Sequence, residues 1–252
     1  MTPDIKRVAR RALRKPLAVV DRHWRSLIAA EVRKVVTQEA HDVDLARHRL
    51  AAESAARYVQ DRMEGCRDFR AKVDLLDHSL TLVRLSGLFL EFGVYRGASI
   101  NFAASRVNGV VHGFDSFHGL PEDFAPWKLE RGSFSTGGAV PDVNPNVMLH
   151  QGLFEESLPE FLRTHHEPVA WVHVDCDLYS STRTVLANLA PRLRPGTVLL
   201  FDDYFNYPEW ERNGEYRAFK EFVTAHDVRY RYASYMSNGN SVAVVIDGSA
   251  DQ

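Results

Sequence analysis

The spacing of apolar residues changes sharply near residue 87. Before it, apolar positions recur every three or four residues, which predicts amphipathic helices over residues 6–34 and from Asp44 to Leu85. After it, short apolar runs alternate with helical stretches, a pattern typical of a parallel sheet with helical crossovers. We therefore expect a helical segment over residues 1–85 and an α/β core over residues 86–252.

The core pattern predicts five parallel strands followed by a different ending. The strands are expected at Leu88–Phe92, Val110–Phe114, Val147–His150, Ala170–Val174 and Thr197–Phe201. The helices between them are expected at Ala98–Arg106, Glu156–His165 and Ser181–Leu193. Two further runs, Tyr230–Tyr235 and Ser241–Ile246, flank Ser-Asn-Gly-Asn, which predicts a hairpin. The expected architecture is a doubly wound sheet closed by an antiparallel hairpin and preceded by a helical cap.

The length and composition of the chain argue against several classes of protein. The 252 residues suffice for one large α/β domain, and the net charge of −2 gives no general case for nucleic-acid binding. No apolar stretch approaches the roughly 20 residues that a membrane span needs, and no signal peptide is expected. Two cysteines, Cys66 and Cys176, suit a reducing cytoplasm. Cys176 lies between two aspartates, where a metal ligand is one interpretation, and we favour the interpretation as a small buried residue.

Basic residues dominate the first predicted helix, over residues 6–34. A basic amphipathic helix can lie on an anionic membrane surface or grip an anionic ligand. The interpretation that we favour is a solvated helix that packs on the core or on a second subunit, and we expect a homodimer or a higher homo-oligomer.

A glycine-containing turn follows the first predicted strand. It runs from Glu91 to Ala98 with glycine at 93 and 97, which lets the backbone approach a ligand. Its spacing differs from the Gly-x-Gly-x-x-Gly of dinucleotide sites. Asp115, 24 residues after Glu91, ends the next strand and is placed to accept hydrogen bonds from adenosine ribose hydroxyls. The alternative is an Asx turn at the strand end, and both NAD and S-adenosylmethionine remain open.

Acidic residues follow two later strands. Asp175 and Asp177 come directly after one, and Asp202 and Asp203 after the next. Because parallel strands end at the same edge of a sheet, Asp175, Asp202 and Asp203 should converge there, where they would repel one another without a cation. An all-oxygen set suits Mg²⁺. Helix capping is the alternative, and it accounts for one of these acids better than for all.

This cluster predicts a chemistry. Coordination to a divalent ion lowers the pKa of a hydroxyl, which makes it a better nucleophile. In an extended strand Asp177 would point to the same side as Asp175, so Asp177 is the candidate general base. His173 shares that face at a deeper position, and we interpret it as a core histidine with its hydrogen bonds satisfied.

Four segments resemble one known family. They are FLEFGVYRGAS at 89–99, GFDSFHGLPE at 113–122, VHVDCDLYSST at 172–182 and FDDY at 201–204. Together they are similar to the macrocin O-methyltransferase family, which acts on deoxysugars of antibiotics, over roughly residues 85–245. The resemblance implies a class I, Rossmann-like methyltransferase fold, S-adenosyl-L-methionine as methyl donor, Mg²⁺ and a glycosylated small-molecule acceptor.

The resemblance also implies roles for individual residues. Asp175, Asp202 and Asp203 would hold magnesium, with Asp175 and Asp177 at the reacting hydroxyl. The cofactor pocket would be formed by Glu91, Gly93, Tyr95, Gly97, Ser99, Asp115 and Ser116. The segment Trp127–Gly138 looks like a lid whose glycines could act as hinges, and an ordinary surface loop is the alternative.

Two other enzyme classes fit part of the pattern. Asp-x-Asp after a strand is also how glycosyltransferases that use nucleotide sugars hold a metal, but the turn at 93–97 and Asp115 would then have no role. A nicotinamide oxidoreductase would use those two features and leave the carboxylate cluster unexplained. The sequence therefore favours an O-methyltransferase.

Overall fold

The computed structural model describes residues 24–31 and 41–249. The chain divides into two compact units, residues 1–49 and residues 50–252. In the first unit residues 24–31 are helical (α1), and most of the basic segment at 6–34 lies outside the described residues. In the described ranges no helix is both long and apolar enough to cross a membrane.

The remaining described residues contain six further α-helices and eight strands. The helices are α2 (Val43–Arg62), α3 (Lys72–Leu82), α4 (Ala98–Arg106), α5 (Phe154–Leu162), α6 (Tyr179–Leu189) and α7 (Gly214–Ala225). The strands are β1 (Arg67–Phe69), β2 (Leu88–Phe92), β3 (Val111–Asp115), β4 (Val147–Gln151), β5 (Val169–Val174), β6 (Val198–Phe201), β7 (Val228–Met236) and β8 (Val242–Ser249).

Within residues 41–249 the strands form one sheet in the order β1-β7-β8-β6-β5-β2-β3-β4. Strand β8 is antiparallel to β6 and to β7, and the other pairings are parallel. This topology confirms the predicted doubly wound sheet and its terminal hairpin. The strand order reverses between β2 and β5, and ligands bind at such a switch point, outside the carboxyl ends of the strands.

The prediction of uninterrupted helical periodicity from Asp44 to Leu85 is wrong. Helix α2 ends at Arg62, and Gly65 follows with φ +76°, a left-handed conformation that stops the helix. Strand β1 then pairs with β7 at the sheet edge. A three-residue strand is too short to show an alternating pattern, so the periodicity of the flanking helices concealed it.

The position of α3 is fixed by burial against the sheet. Leu75 and Leu76 are buried and pack in a cluster with Trp171 of β5 and Leu200 of β6. The Trp171 indole N–H also donates to Ser79 Oγ of α3 at 3.0 Å. Burying a leucine side chain stabilises a fold by about 1.5–3 kcal/mol. These contacts hold the first turn of α3 at the carboxyl edge of the sheet.

Candidate active site

A cavity of about 660 Å³ opens at the carboxyl ends of β2, β3, β5 and β6. The sequence-predicted residues that line it are Gly93, Tyr95, Ser99, Asp115, Ser116, Asp175, Asp177, Asp202 and Asp203. Glu91 lies fully buried behind the cavity wall, and Gly97 is the residue before α4, with φ +81°. The structure thus brings both predicted ends of the site into one cavity.

Gly93 joins the two ends of the site. Its φ is +92°, and a Cβ there would lie 1.8 Å from the backbone carbonyl oxygen of Asp175. The neighbouring Phe92 carbonyl accepts the Asp175 N–H at 2.9 Å. Glycine is therefore required by a close backbone contact between the loops after β2 and β5, whereas the sequence pattern suggested approach to a ligand.

Asp115 holds the turn after β2 in place. Its Oδ2 accepts the backbone N–H groups of Val94 and Tyr95, each at 2.8 Å, and its Oδ1 accepts the Phe117 N–H at 2.7 Å. The last bond is the Asx turn that was the alternative interpretation of this residue. Because Oδ1 receives one of these donors and carries two lone pairs, it keeps an acceptor position beside the cavity.

Lys72 places a cation between two of the predicted metal ligands. Its Nζ lies 2.7 Å from Asp202 Oδ2 and 3.2 Å from Asp175 Oδ2. Burial opposes the charge of Lys72, but attraction to the two carboxylates outweighs it and raises the pKa of the ammonium. For Asp202 burial is likewise outweighed, because Lys72 and His173 lower its pKa below the ordinary value. The pair of carboxylates is a cation-binding position in this structure.

His173 is buried but not satisfied. Its Nδ1 lies 2.9 Å from Glu91 Oε2, and the other Glu91 oxygen accepts the Ser99 hydroxyl at 2.8 Å. Its Nε2 has no hydrogen-bond partner among the described residues and lies 3.9 Å from Asp175 Oδ2. Burial lowers the pKa of the imidazole, but Glu91 and the nearby aspartates raise it above the ordinary value. The expectation of a satisfied core histidine is wrong for Nε2.

Asp177 reaches the cavity by a different backbone path from the one predicted. Strand β5 ends at Val174, and Asp177 has φ +58°, so the extended-strand argument for its direction is wrong. Burial raises the pKa of Asp177 to about 6, although a hydrogen bond to Asp203 opposes the change. Burial, together with repulsion from Asp202 and Asp177, raises the pKa of Asp203 well above its ordinary value.

Lys72 and Glu215 are site residues that the sequence analysis missed. The cavity is lined in part by Lys72, and the fully buried Glu215 carboxyl accepts the Asp203 N–H at 2.9 Å and the Cys176 N–H at 3.3 Å. A lysine in the first turn of a helix opposes the helix dipole, and this was the available signal for Lys72. Glu215 follows a helix start, where acids are common, so its pattern carried no distinguishing signal.

Phe134, from the predicted lid Trp127–Gly138, lines the cavity beside Tyr95. Their rings lie edge to face with centroids 5.8 Å apart. Backbone hydrogen bonds tie the segment to the loop after β3, including Leu120 N–H to Ser133 O at 2.9 Å and Gly138 N–H to Phe117 O at 2.9 Å. The segment therefore forms part of the cavity wall in this conformation.

Residues 90–204 match a protein-family model described as a methyltransferase domain. This segment, just under half of the chain, is similar to that domain. The match begins within β2 and ends just after β6, and it therefore contains the cavity-lining positions from Gly93 to Asp203. It gives no support to the glycosyltransferase alternative.

One curated relative of this chain is an O-methyltransferase. Over 162 residues, 53% of this chain, the sequence is 31% identical to 8-demethyl-8-(2,3-dimethoxy-alpha-L-rhamnosyl)-tetracenomycin-C 4'-O-methyltransferase of Streptomyces olivaceus. The chain spans 60% of the length of that relative. The similarity confirms the resemblance to antibiotic-sugar O-methyltransferases that the four sequence segments carry.

Two solved structures confirm the fold of the methyltransferase domain. The O-methyltransferase NovP superposes with a TM-score of 0.55 at 21% identity, covering 69% of this chain and 78% of its own. The calicheamicin methyltransferase CalS11 gives 0.53 at 21% identity, covering 69% and 77%. The class I, Rossmann-like methyltransferase fold that the sequence predicted is therefore present.

Proposed function

We propose that this chain transfers a methyl group from S-adenosylmethionine to a hydroxyl of a sugar on a secondary metabolite, with the help of a divalent cation. One observation carries the proposal: a single cavity joins Asp115, at the end of β3, to the acidic residues after β5 and β6. The curated relative, whose name describes methylation of a rhamnosyl group, supports the choice of a sugar.

The donor end of the cavity fits an adenosine cofactor. The volume of about 660 Å³ lies within the range of roughly 300–1,000 Å³ that small-molecule sites occupy. The cavity lies at the switch point between β2 and β5, and the Oδ1 of Asp115 keeps an acceptor position for a ribose hydroxyl. Apolar walls at Leu120 and Phe154 suit the remainder of such a ligand. When bound, S-adenosylmethionine supplies the electrophilic methyl group.

The acidic end fits a divalent cation. Asp175 and Asp202 already hold the Lys72 ammonium between them, and the buried Nε2 of His173 faces the same position. A divalent ion held by these residues would lower the pKa of a hydroxyl that coordinates it. Lys72 has a half-exposed side chain with a flexible stem, so it can leave the carboxylates when another cation arrives.

The chain itself moves the proton. Asp177 lines the cavity together with Asp175, within the acidic cluster, and a carboxylate there can accept the proton of the acceptor hydroxyl. The side chains of Val73, Leu76 and Phe102 line the same cavity and exclude water from part of it. Exclusion of water strengthens the electrostatic interactions among the charged groups and protects the donor from hydrolysis.

Calorimetric titration of S-adenosylhomocysteine tests the donor assignment. We expect binding to the wild-type protein and at least about 10-fold weaker binding to Asp115→Asn, because a hydrogen bond to a charged acceptor contributes about 1.5–3 kcal/mol. Asp61→Asn, on the exposed surface of α2, is the matched control and should bind as the wild type does. Transfer of labelled methyl to a rhamnosyl-tetracenomycin acceptor then tests the reaction. Absence of binding in the wild type would refute the proposal.

A further inference from the structure

The His173 side chain is held in one orientation, and one of its two ring nitrogens has no hydrogen-bond partner among the described residues. The side chain is fully buried on β5, and its Nε2 has no hydrogen-bond partner in the part of the chain that the structure describes. An unpaired buried polar atom costs about 1–3 kcal/mol. A structure keeps such an atom when something outside the protein pairs with it, or when the strain has a use.

The direction of this nitrogen points to a cation. The ligand atoms of His173, Asp175 and Asp202 all lie within 4.8 Å of one another, and His173 Nε2 is 3.9 Å from Asp175 Oδ2. Ligands about 2.1 Å from an ion on opposite sides are about 4.2 Å apart. The three atoms are therefore close to the spacing of a metal site, and small side-chain movements would complete it.

The surroundings of His173 prepare Nε2 for ligation. The Glu91 carboxyl accepts from Ser99 Oγ at 2.8 Å and pairs with His173 Nδ1 at 2.9 Å. When the imidazole is neutral and its proton lies on Nδ1, the lone pair on Nε2 would face the two aspartates. A carboxylate that holds the far nitrogen of a histidine is the usual outer partner of a metal-binding imidazole, and it fixes both the tautomer and the ring orientation.

Asp203, the third ligand that the sequence predicted, is engaged elsewhere. Its Oδ1 accepts from Asn240 Nδ2 at 3.2 Å, and its carboxyl is hydrogen-bonded to Asp177. Among the described residues the group of potential ligands contains His173 in its place.

We propose that His173 Nε2 ligates the divalent cation of this site together with Asp175 and Asp202, so that the site has one nitrogen donor and prefers Mn²⁺ or Co²⁺ to Mg²⁺. The inference rests on the cation part of the proposed function and changes the predicted ligand set. An imidazole donor suits first-row transition metals, whereas Mg²⁺ prefers oxygen ligands. Lys72 occupies the position of the ion when none is bound.

Pulsed electron paramagnetic resonance on Mn²⁺-loaded protein tests the ligand directly, without any activity assay. We expect electron spin-echo modulation from a coordinated ¹⁴N nucleus in the wild type. Labelling only the histidines with ¹⁵N should replace it with the ¹⁵N pattern. His173→Gln should lose the modulation and should lose the preference for Mn²⁺ over Mg²⁺, which we expect to be at least about 10-fold in wild-type calorimetric titrations. Asp203→Asn, the matched control, should keep the modulation.

Other outcomes separate this inference from the proposed function. Tight Mn²⁺ binding without nitrogen modulation in the wild type would overturn the ligation by His173 and leave an all-oxygen cation site in place. Loss of modulation in Asp203→Asn but not in His173→Gln would also overturn it. Absence of Mn²⁺ binding in a wild-type sample that binds S-adenosylhomocysteine would refute both this inference and the cation part of the proposed function. Because the wild-type measurement needs no substitution, misfolding of a variant would not obscure the result.

Discussion

Glu215 accepts the backbone N–H of Asp203 at 2.9 Å, although the two residues belong to different elements. The other Glu215 oxygen accepts the Cys176 N–H at 3.3 Å, so one side chain at the start of α7 holds the loops after β5 and β6 together. Burial, together with repulsion from Asp203 and Asp202, raises the pKa of Glu215 well above its ordinary value. The buried Glu215 carboxyl therefore stabilises the two loops that carry the acidic cluster.

Glu215→Ala should lower the free energy of unfolding by about 2–4 kcal/mol, because it leaves the buried N–H of Cys176 and the partly buried N–H of Asp203 unpaired, at about 1–3 kcal/mol each. Urea denaturation measures the change. Glu160→Ala is the matched control, since Glu160 is 77% exposed and its ion pair with Arg163 contributes little. Equal stability of the two variants would show that Glu215 does not stabilise the loops after β5 and β6.

Lys72→Met should make the protein more dependent on added cations. In chelator, Asp175 and Asp202 lose their counter-charge, and we expect a melting temperature several degrees lower, at about 2–4 °C per kcal/mol for a chain of this size. In Mn²⁺ the variant should gain more stability than the wild type, since no ammonium competes for the carboxylates. Calorimetry should show roughly 10-fold tighter Mn²⁺ binding, equivalent to about 1.4 kcal/mol.

The control for this substitution is Arg163→Met, which removes an exposed cation directly after α5. Its melting temperature should respond to Mn²⁺ as that of the wild type does. An identical Mn²⁺ response of Lys72→Met and the wild type would contradict the idea that the ammonium and the ion share one position.

Asp177→Asn should reduce kcat by about 10²–10⁴, the usual contribution of a general base. Affinity for S-adenosylhomocysteine and for Mn²⁺ should change little, because we assign the Asp177 side chain to proton transfer and not to binding of the cofactor or the ion. Single-turnover methyl transfer and calorimetry measure the two effects separately. Asp74→Asn, on the exposed side of α3, is the control, and an undiminished kcat in Asp177→Asn would remove the residue from the reaction.

A histidine cluster outside the cavity should make stability depend on pH. Burial, and then the charges of His150 and His165, lower the pKa of His112 to about 4, while Glu167 acts in the opposite direction. The unfolded chain binds the His112 proton below about pH 6.5, but the folded chain binds it only near pH 4. The contribution is therefore fully present above pH 6.5 and is lost as the pH falls from 6.5 to 4.

His112→Gln should make the fall in unfolding free energy over that pH range shallower. Gln can still hydrogen-bond with His150, whose Nε2 lies 3.1 Å from His112 Nδ1. His226→Gln, at an exposed histidine, should leave the pH dependence of the wild type unchanged. Urea denaturation at pH 4, 5, 6 and 7 provides the comparison, and parallel curves for wild type and His112→Gln would disprove the assignment.

The sheet was predictable because its central strands are buried on both faces. All residues of β5 and β6 are buried, so β6 appears in the sequence as a continuous apolar run and β5 as an apolar run interrupted only by His173. The edge strand β1 was not predictable, because its three residues owe their conformation to hydrogen bonds with β7. Pairing across more than 160 residues leaves no local pattern.

The positions of site residues that follow strands could be predicted from the sequence. The positions of site residues that depend on tertiary contacts could not. Asp115, Asp175 and Asp202 follow strands of one parallel sheet, so their convergence could be inferred from topology. The partners of His173 could not, because its contact with Glu91 depends on the register between β5 and β2. Lys72 reaches the carboxylates from outside the strand framework, and only the packing of α3 places it there.

The contact between Gly93 and the Asp175 carbonyl has a consequence for changing this protein. A side chain at 93 would force apart the loops that carry the donor end and the acidic end, so the two cannot be redesigned independently. Substitutions that adapt the cavity to new acceptors are best made at cavity-lining residues away from the Gly93–Asp175 contact, such as Val73 on α3 or Phe134 in the segment after β3. A laboratory-evolved library that randomises position 93 should return glycine almost exclusively.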